Sequence, residues 1–385
     1  MPLQFSQVET SFEGIQFSGE KPPDPVIAVG GNHVVLAVNY KLEISNKNGA
    51  FISWQSFSDF FSSVSPQPTG AIFDPKIAYD HYSNRYILLA IDNSHRTRYL
   101  LAVTASDDPT GTWYKYSIEG TIYDLDYPGL GFDENTIVLT SDSQVGSDSY
   151  SPDLTILNKH EIYSNNKSYQ KDIRDISNGS KLKPARVMGV SPSKFYLVNT
   201  TSDGKVRIWS ISNPLGGSPS LSLNKTITFA TYQSPQNAVQ KGESEKIEIT
   251  TVGSSISDIV CKDGILYGAY TVANTSGTGS SVKYFSADIN NNFAILDDGL
   301  IESTDTYYYY PVIHPDGSGN MILVFNKSSS NDYVGVAYTK HIKNNTTHEP
   351  ITWLKQGTAG YKLLLNEKNR WGDYSGIAMD PENSY

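Results

Sequence analysis

A two-hairpin unit recurs about every fifty residues along the chain, and it constrains the fold more than any other feature. Each unit joins an apolar strand to a second strand through a short Asn/Asp/Pro/Gly turn, as in LEISNKNGAFISW from Leu42. Related segments begin at Leu101, Val206, Val282 and Val334. Such repetition is typical of a β-propeller, whose blades surround a central channel. The sequence therefore predicts an all-β protein with the β-propeller fold.

Six blades can be traced, and a seventh begins at Arg370 with RWGDYSGIAMDP. Propellers commonly complete their last blade with strands from the other terminus, which removes an open sheet edge. We predict a seven-bladed propeller over residues 24–385, closed by strands from residues 1–23. A six-bladed ring and a chain that continues beyond this sequence are the alternatives. The apolar positions of the closing segment are Leu3, Phe5, Val8, Phe12, Ile15 and Phe17.

The amino-acid composition limits the classes of molecule that the protein is expected to bind. The net charge is −10 and only 18% of residues are charged, which argues against non-specific binding of nucleic acid, since that needs a basic surface. No apolar run is long enough to insert into a membrane, and the first residues do not resemble a signal peptide. The single cysteine, Cys261, lies in an apolar run and is predicted to be a buried thiol.

The blade starts carry related polar and aromatic residues, and these are the candidate site. The innermost strands of a propeller line its channel, so we expect these side chains to converge at one mouth. Carboxylates there suit a cation such as Ca²⁺, and Asp, Tyr and Trp together suit a sugar. The structural alternative is that each Asp caps its own turn. The candidate ligand-binding residues are Asp24, Asp74, Asp126, Tyr127, Arg186, Asp258, Tyr310, Trp371, Asp373 and Tyr374.

Three segments carry a resemblance to a known family: Asp74–Asp80, Asp108–Pro128 and Arg370–Pro381, with Asp-Pro-Thr-Gly-x-Trp and Trp-Gly-Asp-Tyr-Ser motifs. They resemble secreted bacterial and archaeal β-propellers that are related in shape to sialidases. The resemblance implies an extracellular or surface-attached protein from a family mostly without assigned activity. The segment Ser106–Trp113 also resembles the sialidase Asp-box, a structural hairpin, with its glycine one place late.

Sialidase catalysis itself is not predicted. The chain has no Arg-Ile-Pro motif, and a set of similar Asp residues gives no evident reason for the pKa of one of them to rise. The expected function is a non-catalytic extracellular module that binds a glycan or a surface protein, or builds a surface assembly. The alternative is a glycoside hydrolase or polysaccharide lyase that uses the Asp and Tyr residues of the channel mouth. Two long polar stretches, residues 143–153 and 229–252, are predicted loops that could carry binding.

Overall fold

The computed structural model describes residues 10–92, 98–120, 124–145, 149–229 and 232–382. Strands dominate these residues, and six consecutive four-stranded antiparallel sheets account for most of them. This confirms the predicted all-β propeller. The number of blades stays a prediction.

In the first three sheets, consecutive strands are joined by turns, as the hairpin pattern predicts. Sheet 1 comprises β1 (Val26–Val29), β2 (His33–Val38), β3 (Lys41–Asn46) and β4 (Phe51–Ser56). Sheet 2 comprises β5 (Ile72–Asp80), β6 (Arg85–Asp92), β7 (Arg98–Thr104) and β8 (Trp113–Glu119). Sheet 3 comprises β9 (Asp124–Phe132), β10 (Thr136–Val145), β11 (Ser149–Asn158) and β12 (Gln170–Ile173). Two short helices, α1 (Phe57–Phe60) and α2 (Lys159–Tyr163), follow β4 and β11.

The remaining sheets include one that the sequence did not predict. Sheet 4 comprises β13 (Lys183–Met188), β14 (Phe195–Thr200), β15 (Val206–Ser212) and β16 (Ser220–Ile227). Sheet 5 comprises β19 (Ile259–Lys262), β20 (Ile265–Ala273), β21 (Ser280–Asp288) and β22 (Ala294–Ile301). Sheet 6 comprises β23 (Thr306–Pro315), β24 (Met321–Ser329), β25 (Gly335–His341) and β26 (Thr352–Lys355). A small sheet joins β17 (Ala238–Gln240), β18 (Glu243–Ile247), β27 (Leu364–Leu365) and β28 (Lys368–Asn369).

The hydrophobic core lies between successive sheets, because alternate residues of each strand face one neighbour or the other. The innermost strands of sheets 3, 4 and 5 also pair with one another in parallel. They bring Ala185 opposite Ile259 and Arg186 opposite Phe132. This pairing fixes the walls of the channel on that side.

Both predicted polar loops differ from expectation. Residues 143–145 and 149–153 extend β10 and β11 into one long hairpin, with residues 146–148 outside the described part. The stretch 229–252 supplies β17 and β18, and β18 pairs in parallel with β28 through Ile247 and Asn369. The predicted strand LTILNKHEIY ends at Asn158, because the Asn158 side chain caps α2 by accepting from the amide of His160.

The predicted closure by N-terminal strands does not occur over the described residues, since residues 10–23 form no strand. Of the apolar positions predicted to close the ring, Leu3, Phe5 and Val8 lie outside the described residues. Residues 372–376 instead run between sheets 1 and 6 without forming a strand. Ser375 accepts a hydrogen bond from Asn326 Nδ2 at 3.1 Å, and Gly376 lies against the backbone of Val26 and Ile27.

Candidate active site at the channel mouth

Four residues at the blade starts share an unusual backbone conformation. Asp24, Asp74, Tyr127 and Tyr310 have φ between 49° and 53°, and each precedes a proline. Left-handed φ is uncommon for residues other than glycine and costs of order 1–3 kcal/mol, so the surrounding structure must hold it. In β5 and β23 the pairing register shifts at this place. The shift interrupts the strand alternation at the start of the channel wall.

A hydrogen bond to the neighbouring sheet holds three of these turns. Asp74 N donates to Asn39 Oδ1 at 2.7 Å, and Tyr127 N donates to Asp74 Oδ2 at 3.2 Å. Tyr310 N donates to Thr271 Oγ1 at 3.1 Å. The predicted structural role, in which each Asp caps its own turn, is therefore wrong for Asp74. Its carboxylate tethers the next sheet instead, because the left-handed residue there leaves its amide free of the strand ladder.

The predicted site residues converge at this mouth. The carboxylates of Asp24, Asp126 and Asp373 all lie close enough to Asp74 to raise its pKa. The rings of Tyr127 and Tyr374 are 6.1 Å apart, and the carboxylates of Asp373 and Asp24 raise the pKa of Tyr310 in addition to its burial. We call this group the mouth cluster; its members are Asp24, Asp74, Asp126, Tyr127, Tyr310, Asp373 and Tyr374.

The carboxylates of the mouth cluster differ sharply in environment. Burial, and then the charge of Asp373, raises the pKa of Asp24 to about 7. Burial, followed by the charges of Asp24, Asp126 and Asp373, raises the pKa of Asp74 well above its usual value. Asp126 is exposed, and Asp373 is held by Arg370 at 2.6 Å. The expectation that these similar residues give no reason for a raised pKa is therefore wrong, because equivalent positions are buried to different depths.

Arg186 and Asp258 lie together in the channel wall. Arg186 Nε donates to Asp258 Oδ1 at 3.2 Å, and both side chains line a cavity of about 30 Å³. Lys76 and Lys183 line the same cavity. The sequence reasoning missed both lysines. Their positions held a signal, since Lys76 follows the Asp74–Pro75 blade start by one residue and Lys183 precedes Pro184 at the start of sheet 4.

Trp371 faces a different space. It lines a cavity of about 450 Å³ between sheets 1 and 6, together with Tyr361 and Tyr374. Its indole Nε1 donates to Asn326 Oδ1 at 2.9 Å, and its ring meets that of Tyr361 edge to face at 4.8 Å. Because Tyr374 belongs to the mouth cluster and also lines this cavity, the two spaces are adjacent.

The two remaining sequence motifs have structural roles. In the segment that resembles an Asp-box, Asp108 Oδ1 accepts from Thr110 N at 2.9 Å and Trp113 Nε1 donates to Pro109 O at 2.8 Å. Cys261 is fully buried, as predicted, and burial raises the pKa of its thiol to about 12.

Cation binding and membrane insertion were also considered. Over the described ranges, no three His, Cys, Asp or Glu side chains are grouped so that they could hold a metal ion. The Ca²⁺ expected from the sequence stays a prediction. No helix within those ranges is long and apolar enough to cross a membrane.

Comparison with known proteins gives structural likeness alone. No protein-family model and no curated protein sequence matches the chain. A subtype N10 neuraminidase-like protein from a little yellow-shouldered bat virus is 7% identical with a TM-score of 0.47, covering 86% of this chain and 98% of that one. The exo-β-1,3-galactanase of Phanerochaete chrysosporium is 13% identical with a TM-score of 0.36, covering 83% and 76%.

This chain matches only part of a further solved structure. The GH43 protein BlXynB of Bacillus licheniformis is 9% identical with a TM-score of 0.36, and the chain spans 58% of its length. Glycoside hydrolases are thus among the matched propellers, and this finding contradicts the expectation of a non-catalytic binding or assembly module. The alternative drawn from the sequence, a glycoside hydrolase, replaces it as the hypothesis to be argued from the site.

Proposed function

We propose that the protein is a glycoside hydrolase that works at the channel mouth, with Asp74 as general acid and Asp126 as its partner carboxylate. One observation carries the proposal: the amide of Tyr127 donates both to Asp74 Oδ2 at 3.2 Å and to Asp126 Oδ1 at 3.0 Å. The shared donor holds the two carboxyl groups side by side. Glycosidases use such a pair of carboxyl groups in unlike environments.

Asp74 has the properties that a general acid needs. Burial and the neighbouring carboxylates raise its pKa well above the usual value, so it holds its proton to higher pH than an ordinary carboxyl group. Its Oδ2 accepts from the amide of Tyr127, whereas no described residue donates a hydrogen bond to Oδ1. The proton therefore has a free oxygen to occupy. From there it can pass to the glycosidic oxygen as the C–O bond breaks.

Asp126 suits the role of the ionised partner carboxylate because its side chain is exposed. Water reaches it, and the adjacent amide of Tyr127 stabilises its negative charge. In the proposed reaction, a carboxylate oxygen of Asp126 bonds to the anomeric carbon as the bond to the departing sugar oxygen breaks, and Asp74 supplies the proton that this oxygen gains. A water molecule then displaces Asp126 from the anomeric carbon and gives a proton to Asp74, so both carboxyl groups regain their starting states. Two carboxyl groups that share one donor leave no room for a water between them, which favours this double displacement.

The adjoining cavity offers space for sugar rings. Its volume of about 450 Å³ lies within the usual range of small-molecule sites. Trp371 and Tyr361 supply apolar ring faces, and Asn326 and Glu20 supply polar groups in the same wall. A glycan is accordingly the partner that the proposal implies. The extracellular location expected from the sequence remains a prediction and is consistent with a polymeric substrate.

The test compares two leaving groups. Purified wild-type protein is screened for release of reducing sugar from a panel of polysaccharides. In Asp74→Asn we expect a 10²–10⁴-fold loss of kcat/KM on the active polysaccharide, the contribution typical of general acid catalysis. A 2,4-dinitrophenyl glycoside of the same sugar, whose leaving group departs without protonation, should be hydrolysed at near wild-type rate. Asp126→Asn should lose both activities.

The matched control is Asp203→Asn, because Asp203 is exposed on a hairpin of sheet 4 and far in sequence from every mouth residue. It should retain full activity on both substrates. Full activity of Asp74→Asn on the polysaccharide would refute the assigned acid. A wild-type protein that cleaves nothing across neutral and acidic glycans would refute the proposed function.

A further inference from the structure

Three basic side chains meet at one small cavity of this acidic protein. Lys76, Lys183 and Arg186 line the channel cavity of about 30 Å³, with Asp258 as the one acidic residue in its lining. The chain as a whole carries a net charge of −10. The cavity therefore places three basic side chains directly beside the acidic mouth cluster.

Among the described residues, neither lysine of this cavity has its ammonium group taken up by a hydrogen bond to a carboxylate, although the nearby charges of Asp258 and Asp74 raise the pKa of Lys76 against the effect of burial. Burial holds the pKa of Lys183 well below its usual value. Arg186 pairs with Asp258. Lys183 Nζ donates to the carbonyl oxygens of Tyr127 at 2.6 Å and Pro128 at 3.0 Å. Lys76 Nζ lies 3.0 Å from the centre of the Tyr374 ring. Within the described ranges neither ammonium group forms a hydrogen bond to a carboxylate. Burial lowers the pKa of Lys76 to about 8, because the protein removes water from around its ammonium group.

A buried hydroxyl group on a ring beside Lys183 also lacks a partner. The Tyr127 side chain is only 7% exposed, and its Oη has no hydrogen-bond partner among the described residues. Lys183 Nζ lies 3.8 Å from the centre of this ring. Buried hydroxyl groups almost always find a partner, so an unmatched one marks a place for a bound group.

We propose that the channel cavity binds an anionic substituent of the substrate, a carboxylate or a sulfate, which makes the substrate an acidic glycan. The inference rests on the proposed function for the place of the reaction. Lys76 follows Asp74 by two residues on β5, so an anion bound by Lys76 places its sugar against the mouth cluster. The cavity admits a small charged group and excludes a sugar ring, which keeps the ring at the mouth.

Binding without turnover tests this inference. Full-length Asp74→Asn protein is titrated calorimetrically with three oligosaccharides of equal length: an oligogalacturonate, a neutral oligogalactose and a sulfated oligogalactose. We expect at least one acidic probe to bind tenfold or more tightly than the neutral probe, and the stronger acidic probe distinguishes carboxylate from sulfate. Lys76→Gln in this background should lower that affinity about tenfold, as for loss of one charge-assisted hydrogen bond. Equal affinity for neutral and acidic probes would overturn the proposal.

Matched variants separate charge from folding. Lys246→Gln removes an exposed lysine of β18 and should leave the affinity unchanged. Tyr127→Phe keeps the ring and removes the unpartnered hydroxyl, and it should weaken binding of the acidic probe more than binding of the neutral probe. If Lys76→Gln does not fold, Tyr127→Phe decides: unchanged affinity for the acidic probe would refute the inference. Preference for acidic glycans in a protein that hydrolyses none of them would refute only the proposed function.

Discussion

Asp24 Oδ1 accepts the amide hydrogen of Asp373 at 2.7 Å, although 349 positions separate the two residues along the chain. The second oxygen of Asp24 accepts from Asn39 Nδ2 at 2.9 Å. One buried carboxyl group thus joins the start of sheet 1 to the segment that runs between sheets 1 and 6. Its protonation state therefore bears on the stability of the whole ring.

The stability of the protein should depend on pH through Asp24. Burial and Asp373 raise the pKa of this carboxyl group to about 7 in the folded state, so the folded state binds its proton more tightly than the unfolded state. The resulting stabilisation is complete below about pH 4 and is lost as pH rises through about 7. We expect the free energy of unfolding of wild-type protein, measured by urea titration, to fall across this window.

Asp24→Asn should flatten that pH dependence, since the amide does not titrate. Asp203→Asn, which alters an exposed carboxyl group, should keep the wild-type slope. Identical slopes in Asp24→Asn and wild type would show that Asp24 is not the group responsible.

The pH profile of hydrolysis should respond to the same residue. Asp24 contributes the largest neighbouring charge to the raised pKa of Asp74. Activity that needs protonated Asp74 is lost as pH rises through that pKa, and this loss defines the alkaline limb of kcat/KM. Asp24→Asn removes one negative charge, lowers the pKa of Asp74 and should move the alkaline limb to lower pH. A limb that stays in place would argue against Asp74 as the acid.

A buried ion pair outside the site should be important for stability. Lys159 Nζ lies 2.9 Å from Asp80 Oδ2, and both side chains are fully buried. Tyr163 Oη donates to the same carboxylate at 2.8 Å. Lys159→Met leaves this carboxylate uncompensated and should cost about 3–5 kcal/mol in the free energy of unfolding.

A double variant provides the control for this pair. Asp80→Asn combined with Lys159→Met should recover part of the loss, because no unpaired charge remains buried. Lys205→Met removes an exposed partner of Asp203 and should change stability by less than about 1 kcal/mol. Additive losses in the double variant would contradict the coupling.

Close packing of sheets 3 and 4 should make one glycine sensitive to substitution. A Cβ atom at Gly131 would lie 2.7 Å from Ala185 O and 2.7 Å from Pro184 Cβ. Because Ala185 O is backbone, relief requires movement of an innermost strand, and Gly131→Ala should cost about 1–3 kcal/mol. Gly217→Ala is the control, since no atom of the described residues beyond its chain neighbours lies within 4 Å of the added Cβ there. Thermal unfolding of both variants measures the difference.

Local sequence patterns predicted most of the scaffold. Alternating apolar residues and turn residues correctly located the strands of sheets 1 and 2, because each hairpin is encoded within some twenty residues. The pairing of β18 with β28 could not be predicted in this way. Both strands are short and polar, and their partners are more than a hundred residues apart. Nothing in the local pattern distinguishes them from loop.

The sequence predicted which residues form the mouth cluster, but it predicted their burial and pKa values only in part. The repeated Asp-Pro and Tyr-Pro starts identified the mouth cluster, since the channel gathers equivalent positions. Burial depth was not predictable, because it depends on how neighbouring sheets cover each carboxyl group. Lys76 and Lys183 were overlooked for a related reason: lysine is normally exposed, and only the channel wall buries these two.

The small sheet that joins β18 to β28 has a consequence for biosynthesis. A ribosome releases the chain from the N-terminus, and Ile247 must wait for Asn369 before the two strands can pair. All six larger sheets are synthesised before Asn369, so they can assemble first, each against its predecessor. The edge of β18 that β28 later covers stays open until then, so a translating cell must keep it from pairing with other chains for as long as synthesis of the intervening residues lasts.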